Sequence, residues 1–236
     1  MPAPGAYDIL DQVVHSYVIP PGGPVKIVPG HPSQKLPQDK LAKLYRVAGS
    51  EFAQHGFSGA SLNRVIAGIG MSKSSFYHYF ENKTDLFRQT LETAMKPMID
   101  AHNAIDLGSL TSDTFWPVLG RMTEDMTSLV NGSPEMVTIG RMFYRCQENP
   151  DERVLTAGVV EEFTGFVSAL IMRGQELGQI RIDLPGSLLI DLIMSLGMAA
   201  DRWMLTRWHE LSDAERIDLN TRTLDLFRRI LAPASV

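Results

Sequence analysis

The chain has 236 residues, 44% of them apolar and 21% charged, which suits one large folded domain or two small ones and excludes a wholly disordered polymer. A net charge of −5 argues against a polyanion binder when taken as a whole-chain average. The single cysteine, Cys146, excludes an internal disulfide and points to a reducing cytoplasm. The most apolar stretch, Leu188 to Ala200, is interrupted by Asp191 and is too short to cross a bilayer. Met1-Pro2-Ala3-Pro4-Gly5 lacks the basic start and apolar run of a secretory signal. A cytoplasmic protein with no membrane partner is expected.

The charge is unevenly placed. Residues 39–96 carry eight Lys and Arg against five Asp and Glu, whereas residues 97–236 carry twelve Arg against twenty acids. A small basic segment beside a large acidic one suits a local polyanion contact on a body that polyanions do not attract.

Residues 1–38 hold eight of the fourteen prolines, including Pro20-Pro21-Gly22-Gly23-Pro24, so one long helix is excluded there. Ile9, Leu10, Val13, Val14 and Tyr17 share a helical face, and Val18-Ile19 with Val25 to Val28 could flank the Pro-Gly turn as a hairpin. This Pro/Gly-rich extension is expected to lie on the main body. A DNA-reaching arm using Lys26 and Lys35 is the weaker alternative.

From Gln38 the pattern becomes helical. Leu41, Leu44, Tyr45, Ala48 and Phe52 recur at helical spacing up to a stop at Gly56. Ser61 caps a second helix bearing Leu62, Val65, Ile66 and Ile69, and Gly70-Met71 ends it. Ser72 caps a third from Lys73 to Phe80, and Asn82-Lys83-Thr84 opens a fourth over 83–96, with Pro97 near its end. Five more helices are expected near 111–130, 134–148, 151–178, 185–209 and 212–231. The fold class is therefore all-α with about nine helices: a three-helix head over 39–96, including its connecting helix, and a larger helical body over 97–236.

Two short helices joined by a tight Gly-containing turn, between Ser61 and Lys83, make a helix-turn-helix whose second helix can enter a major groove. On that helix Ser74, Tyr77 and His78 share one face, while Phe76 and Phe80 share another that would anchor it. No acidic residue lies between Ser61 and Phe80, which spares DNA phosphates a repulsive neighbour.

The run Gly70-Met71-Ser72-Lys73-Ser74-Ser75-Phe76-Tyr77-His78-Tyr79-Phe80, followed by Asn82-Lys83 and Leu86-Phe87, closely resembles the DNA-binding head of TetR-type transcriptional regulators. Phe52-Ala53, His55-Gly56-Phe57 and Ser61 match upstream, so the likeness spans about residues 40–95. The body is similar in architecture and in the turn Glu176 to Arg181. The resemblance implies that Ser61 caps the second helix and touches a phosphate, and that Asn63 reads a base. It places Lys73, Ser75 and Ser74 at base edges. Tyr77, Tyr79 and Lys83 take backbone-gripping positions, and His78 could do either. Ile66 stands where the family usually has a small Ala, and Tyr79 where His is more common.

A short recognition helix covers few base pairs, so two copies on a two-fold axis are expected to read a double-stranded operator. Ile217, Leu224, Phe227 and Leu231, with Gly197, Ala199 and Ala200 opposite Trp203, suit the last two helices to this task, and the resemblance implies a homodimer through them. An intramolecular core is the other reading of the stripe. Twelve methionines favour an adaptable pocket for an unknown apolar effector, although helical Met is more often core. The expected lining is Trp116, Met122, Met126, Arg141, Met142, Arg145, Phe163, Phe166, Met194 and Met198. Phe115, Phe143 and Tyr144 are further aromatic candidates, and Arg121 and Glu162 further polar ones.

Catalysis is not expected. The six histidines show no metal-ligand spacing, no GxSxG or P-loop occurs, and Gly68-Ile69-Gly70 lacks the strand and third glycine of a dinucleotide site. No cofactor and no metal are expected. The function implied is a DNA-binding regulator, by analogy a repressor, released from its operator by a small apolar ligand. Control by a protein partner is the alternative.

Overall fold

Residues 31–233 are described in a computed structural model of the chain; the expected docking helix, hairpin and Lys26 lie outside them. Among the described residues there are nine α-helices and no strands. They are α1 (Gln38–Gly59), α2 (Leu62–Ile69), α3 (Lys73–Tyr79), α4 (Lys83–Asn103), α5 (Phe115–Asn131), α6 (Pro134–Glu148), α7 (Ala157–Glu176), α8 (Gly186–Thr206) and α9 (Asp213–Leu231).

Local chemistry sets most of these boundaries. Ser61, Ser72 and Asn82 each accept a hydrogen bond from the backbone N–H three residues on, of Arg64, Ser75 and Asp85. Ser212 and Glu215 form a reciprocal capping box at the start of α9. At Gly56 the backbone turns to φ 70°, breaking helical geometry inside α1, and at Gly70 to φ 69° between α2 and α3. Both are left-handed conformations that a side chain disfavours.

Several helices differ in extent from the sequence reading: α1 reaches Gly59 rather than ending at Gly56, α5 starts at Phe115 rather than 111, and α8 ends at Thr206 rather than 209. α4 runs through Pro97 to Asn103 instead of stopping at residue 96. Pro97 lacks an N–H for the Thr93 carbonyl, and both residues are exposed, so water can satisfy the orphaned acceptor. α7 begins at Ala157 rather than 151, because Arg153–Leu155 forms a 3-10 turn first.

Residues 31–37 dock on the head rather than trailing from it. The His31 ring donates from Nε2 to Asp85 at 3.2 Å, the Ser33 and Tyr45 hydroxyls meet at 3.3 Å, and Leu36 is buried. The core is continuous from head to body. Leu44, Phe52, Phe76 and Phe87 from the head share one apolar cluster with Ile139, Met142, Phe143 and Cys146 of α6. A second cluster, around Phe115, Ile171, Ile180 and Leu189, fills the distal end. Head and body are thus packed together through α6, not merely joined by α4.

Candidate DNA-reading face and ligand cavity

The head presents α3 by burying one side of it. Phe76 and Phe80 are wholly buried, with their rings stacked at 5.2 Å. That leaves Lys73, Ser74, Tyr77 and His78 exposed on the opposite side, and Tyr77 keeps 56% of its surface open. Asn63 is exposed on α2, whereas Ser61, Ser75 and Tyr79 are half-buried. The Tyr77 ring meets Phe76 edge-on but leaves more than half of its surface in water, so the outward phenol is a feature of the surface chemistry.

Neighbouring charges are committed to holding the head together. Arg64 donates from Nε to both Glu51 oxygens, at 2.9 and 3.1 Å, and Ser61 N–H donates to the same carboxylate at 2.8 Å. The Arg64 hydrogen bond holds the Glu51 carboxyl below its usual range despite partial desolvation. Lys83 donates from Nζ to the carbonyls of Ser58 and Ala60, each at 3.2 Å, and lies over the Phe57 ring. Two of its three ammonium donors therefore brace the α1–α2 connection, leaving one for an outside acceptor.

The body grips the head at that same connection. Arg145 of α6 donates from Nη1 to the carbonyls of Ala53 and Gln54, near the C-terminal end of the regular part of α1. Glu152, just after α6, accepts from Phe57 N–H at 3.3 Å, Ser58 N–H at 3.0 Å and the Ser58 hydroxyl at 2.7 Å. Burial pushes the Glu152 carboxyl up, but the hydrogen bonds from Ser58, Phe57 and Asn149 outweigh it and hold it below the usual value. Cys146 lies beneath, its thiol pushed up to about 12 by burial and by Glu152, which leaves it inert as a nucleophile.

Inside the body lies a cavity of about 320 Å³. α4 contributes Met95 and Met98, α5 Met126 and Thr127, and α6 Met136, Phe143 and Tyr144. Phe163 comes from α7, Met194, Met198 and Asp201 from α8, Trp208 from the following loop, and Asn220 and Phe227 from α9. Polar groups are few and paired. Asn220 donates to the Thr127 hydroxyl at 2.6 Å, and the Tyr144 hydroxyl donates to Asp201 at 3.3 Å. Burial and the adjacent carboxylate raise the Tyr144 phenol well above its ordinary value. Asp201 keeps accessible surface at the cavity wall, yet protein surrounds it, and this desolvation lifts its carboxyl to about 6.

Of the expected pocket residues, Met126, Phe163, Met194 and Met198 line this cavity. The others do not. Trp116, Met122 and Phe166 pack against the distal cluster, Phe166 with its ring tilted against His102, and Met142 is fully buried between head and body. The half-buried Arg141 is spent on the Leu205 carbonyl and the exposed Arg145 on the head, so neither guanidinium is aimed into the cavity. Met95, Met98 and Asp201 were missed. A carboxylate among Met198, Ala199, Ala200 and Met204 was the available signal for Asp201.

The apolar stripe assigned to the dimer contact also divides differently. Leu224 and Leu231 pack into the distal cluster, Phe227 lines the cavity, and Gly197 faces Phe227. The large apolar side chains left exposed on the last two helices are Leu188, Leu192, Trp203, Ile217 and Leu226. Among the described residues no group of three His, Cys, Asp or Glu could hold a metal, and no helix is long and apolar enough to cross a membrane.

A helix-turn-helix with a solvent-facing second helix, mounted on a helical body, defines a DNA-binding protein of the helix-turn-helix class. Residues 44–90 match the family model described as "Bacterial regulatory proteins, tetR family". The "Probable acrEF/envCD operon repressor" of Escherichia coli (strain K12) is 22% identical over 168 residues, covering 70% of this chain and 74% of that protein. The "HTH-type transcriptional repressor SCO4008" of Streptomyces coelicolor is 37% identical over 59 residues, covering 25% and 31%. FadR of Bacillus subtilis, solved with stearoyl-CoA, shares the fold with a TM-score of 0.64 at 16% identity, over 79% of this chain and 96% of that one. Residues 44–90 thus carry the DNA-binding head of the tetR family, and the chain as a whole is similar in sequence and fold to TetR-type transcriptional regulators. Its relatives are regulators rather than enzymes, and regulators of this type bind operator DNA and dimerise.

Proposed function

We propose that the chain represses transcription from an operator that it binds as a homodimer, and that a small, largely apolar ligand in the body releases it. Residues 39–96 serve as the DNA-binding unit, with residues 31–37 docked on it, and residues 97–236 bind ligand and dimerise. Lys73, Ser74 and Ser75 read base edges from α3 and Asn63 from α2. Ser61, Tyr77, Tyr79 and the remaining donor of Lys83 hold phosphates, and His78 serves either. The two heads are held by α8 and α9, with Leu188, Leu192 and Trp203 sharing an exposed apolar side of α8 that a second copy would cover.

The observation that carries ligand control is the position of α6. Tyr144 faces the cavity and the next residue, Arg145, holds the head. A ligand that fits better when α6 has shifted changes the spacing of two heads, and lowers operator affinity only by its differential affinity for the two arrangements. α4, which contributes Met95 and Met98 to the cavity, runs from the head and moves with it. The FadR neighbour was solved with stearoyl-CoA, which supports small-molecule control of this fold while leaving the ligand of this chain to its own cavity.

The test is a gel shift on DNA from the gene's own upstream region. Lys73→Ala and Tyr77→Ala should each weaken binding about tenfold or more. Lys83→Ala should weaken it on every sequence and reduce the salt slope by about one. Full affinity in both α3 variants would remove the reading of α3 as the recognition helix.

A further inference from the structure

The cavity wall holds a carboxylate with no counter-charge among the described lining residues. Asp201 is the one ionisable acid on its wall, and among the described lining residues there is no Lys, Arg or His. Among the described residues the only partner of its carboxylate is the Tyr144 hydroxyl, and it takes part in no ion pair with them. One hydrogen bond leaves most of the carboxylate's acceptor capacity to water or to a ligand, since Asp201 keeps an exposed surface in an otherwise apolar chamber. Asp201 also lies on the opposite side of α8 from Leu188, Leu192 and Trp203, so a second copy docked on that apolar face would not supply the missing charge.

The surroundings suit a cation of low hydration. Phe143, Tyr144, Phe163, Trp208 and Phe227 place aromatic rings around the chamber, and an aromatic face attracts a desolvated positive charge. The methionines offer polarisable surface that adapts to an apolar frame. An anionic head group would meet Asp201 with no counter-charge on the wall, and a neutral ligand would leave the carboxylate unpaired.

We infer that the effector is a lipophilic organic cation, an amine or quaternary ammonium on an apolar frame, whose charge sits against the Asp201 carboxylate inside the ring of aromatic side chains. This deepens the ligand-release reading and rests on it for the consequence at DNA, but binding itself can be measured without DNA. A volume of about 320 Å³ lies at the small end of the roughly 300–1,000 Å³ seen for ligand pockets. Tyr144 positions the carboxylate by donating to one of its oxygens, leaving the other toward the ligand.

Three probes with one tail separate the alternatives: octyltrimethylammonium, octanol and octanoate, each below its aggregation threshold. Binding to the full-length chain is followed by calorimetry and by quenching of tryptophan emission, to which Trp208 contributes. The cation should bind about tenfold more tightly than octanol, with octanoate weakest. Asp201→Asn should bring the cation to within about threefold of octanol while leaving octanol affinity unchanged, which also shows that the variant folds. Equal or tighter binding of octanoate, a cation preference that survives Asp201→Asn, or no binding of any probe would overturn the inference. If the cation binds through Asp201 but operator DNA stays bound, the site assignment stands and ligand release fails. If the neutral probe alone releases DNA, the opposite holds.

Discussion

Replacing Glu152 by Gln tests whether the body clamps the head. Three donors, from Phe57 N–H, Ser58 N–H and the Ser58 hydroxyl, converge on the Glu152 carboxylate at 2.7–3.3 Å, and the side chain is almost fully buried. Glutamine can keep its oxygen where both Ser58 donors converge, but it sets an NH₂ group against the Phe57 N–H, so one of the three hydrogen bonds is lost and the other two lose their charge. Each charge-assisted bond is worth about 1.5–3 kcal/mol, and adjacent losses do not simply add, so a destabilisation of about 2–4 kcal/mol is expected. For a chain of this size that corresponds to a Tm lower by roughly 5–12 °C, compared at equal protomer concentration. The pH dependence supplies an internal control. Because the folded-state pKa of Glu152 is depressed, its stabilisation is present above the ordinary carboxylate value and is lost as pH falls through the folded one. The gap between wild type and Glu152→Gln should therefore be full at pH 7 and shrink below about pH 4.5. Circular dichroism melts across that range would measure it. A Tm within 1 °C of wild type at pH 7, or a gap that does not change in acid, would refute the clamp. With the clamp weakened, effector should also release less DNA at a given occupancy.

Glu92 on α4 responds to pH with the opposite sign. It is 5% exposed, and burial, with Asp85 adding and Arg88 opposing, lifts its carboxyl to about 7. Its favourable contribution is present below the unfolded value and declines as pH rises through about 7. Glu92→Gln should accordingly become more stable than wild type above pH 7, by about 1–2 kcal/mol in urea melts; equal midpoints at pH 5 and pH 8 would contradict this. Trp203→Glu places a charge in the proposed dimer face, and light scattering should then find a monomer at concentrations where wild type is dimeric. A dimer that persists would move the interface elsewhere.

Periodicity alone marked out the helical head because each short helix there carries its own signals. Ser61, Ser72 and Asn82 are caps whose bonds close within three residues, and Phe76 and Phe80 declare a buried side by their spacing. These are interactions between near neighbours in the chain, and the observed helices start where they indicate. Extents were less legible where a signal competes with packing, as at Pro97, which the connecting helix passes through because both affected groups reach water.

What Arg145 does could not be read from its own helix. Its acceptors, the Ala53 and Gln54 carbonyls, are about ninety positions away and exist only because α1 breaks at Gly56. The same holds for the cavity: Met126 and Met142 look alike in sequence, yet one lines the chamber and the other fills the seam between head and body. Local order, capping and the anchored side of α3 were set by the amino-acid sequence through short-range bonds and helical period. Which polar groups clamp, which methionines stay uncovered and where Asp201 faces the cavity with Tyr144 as its partner were decided by tertiary packing, because those properties belong to pairs of helices and to no single segment.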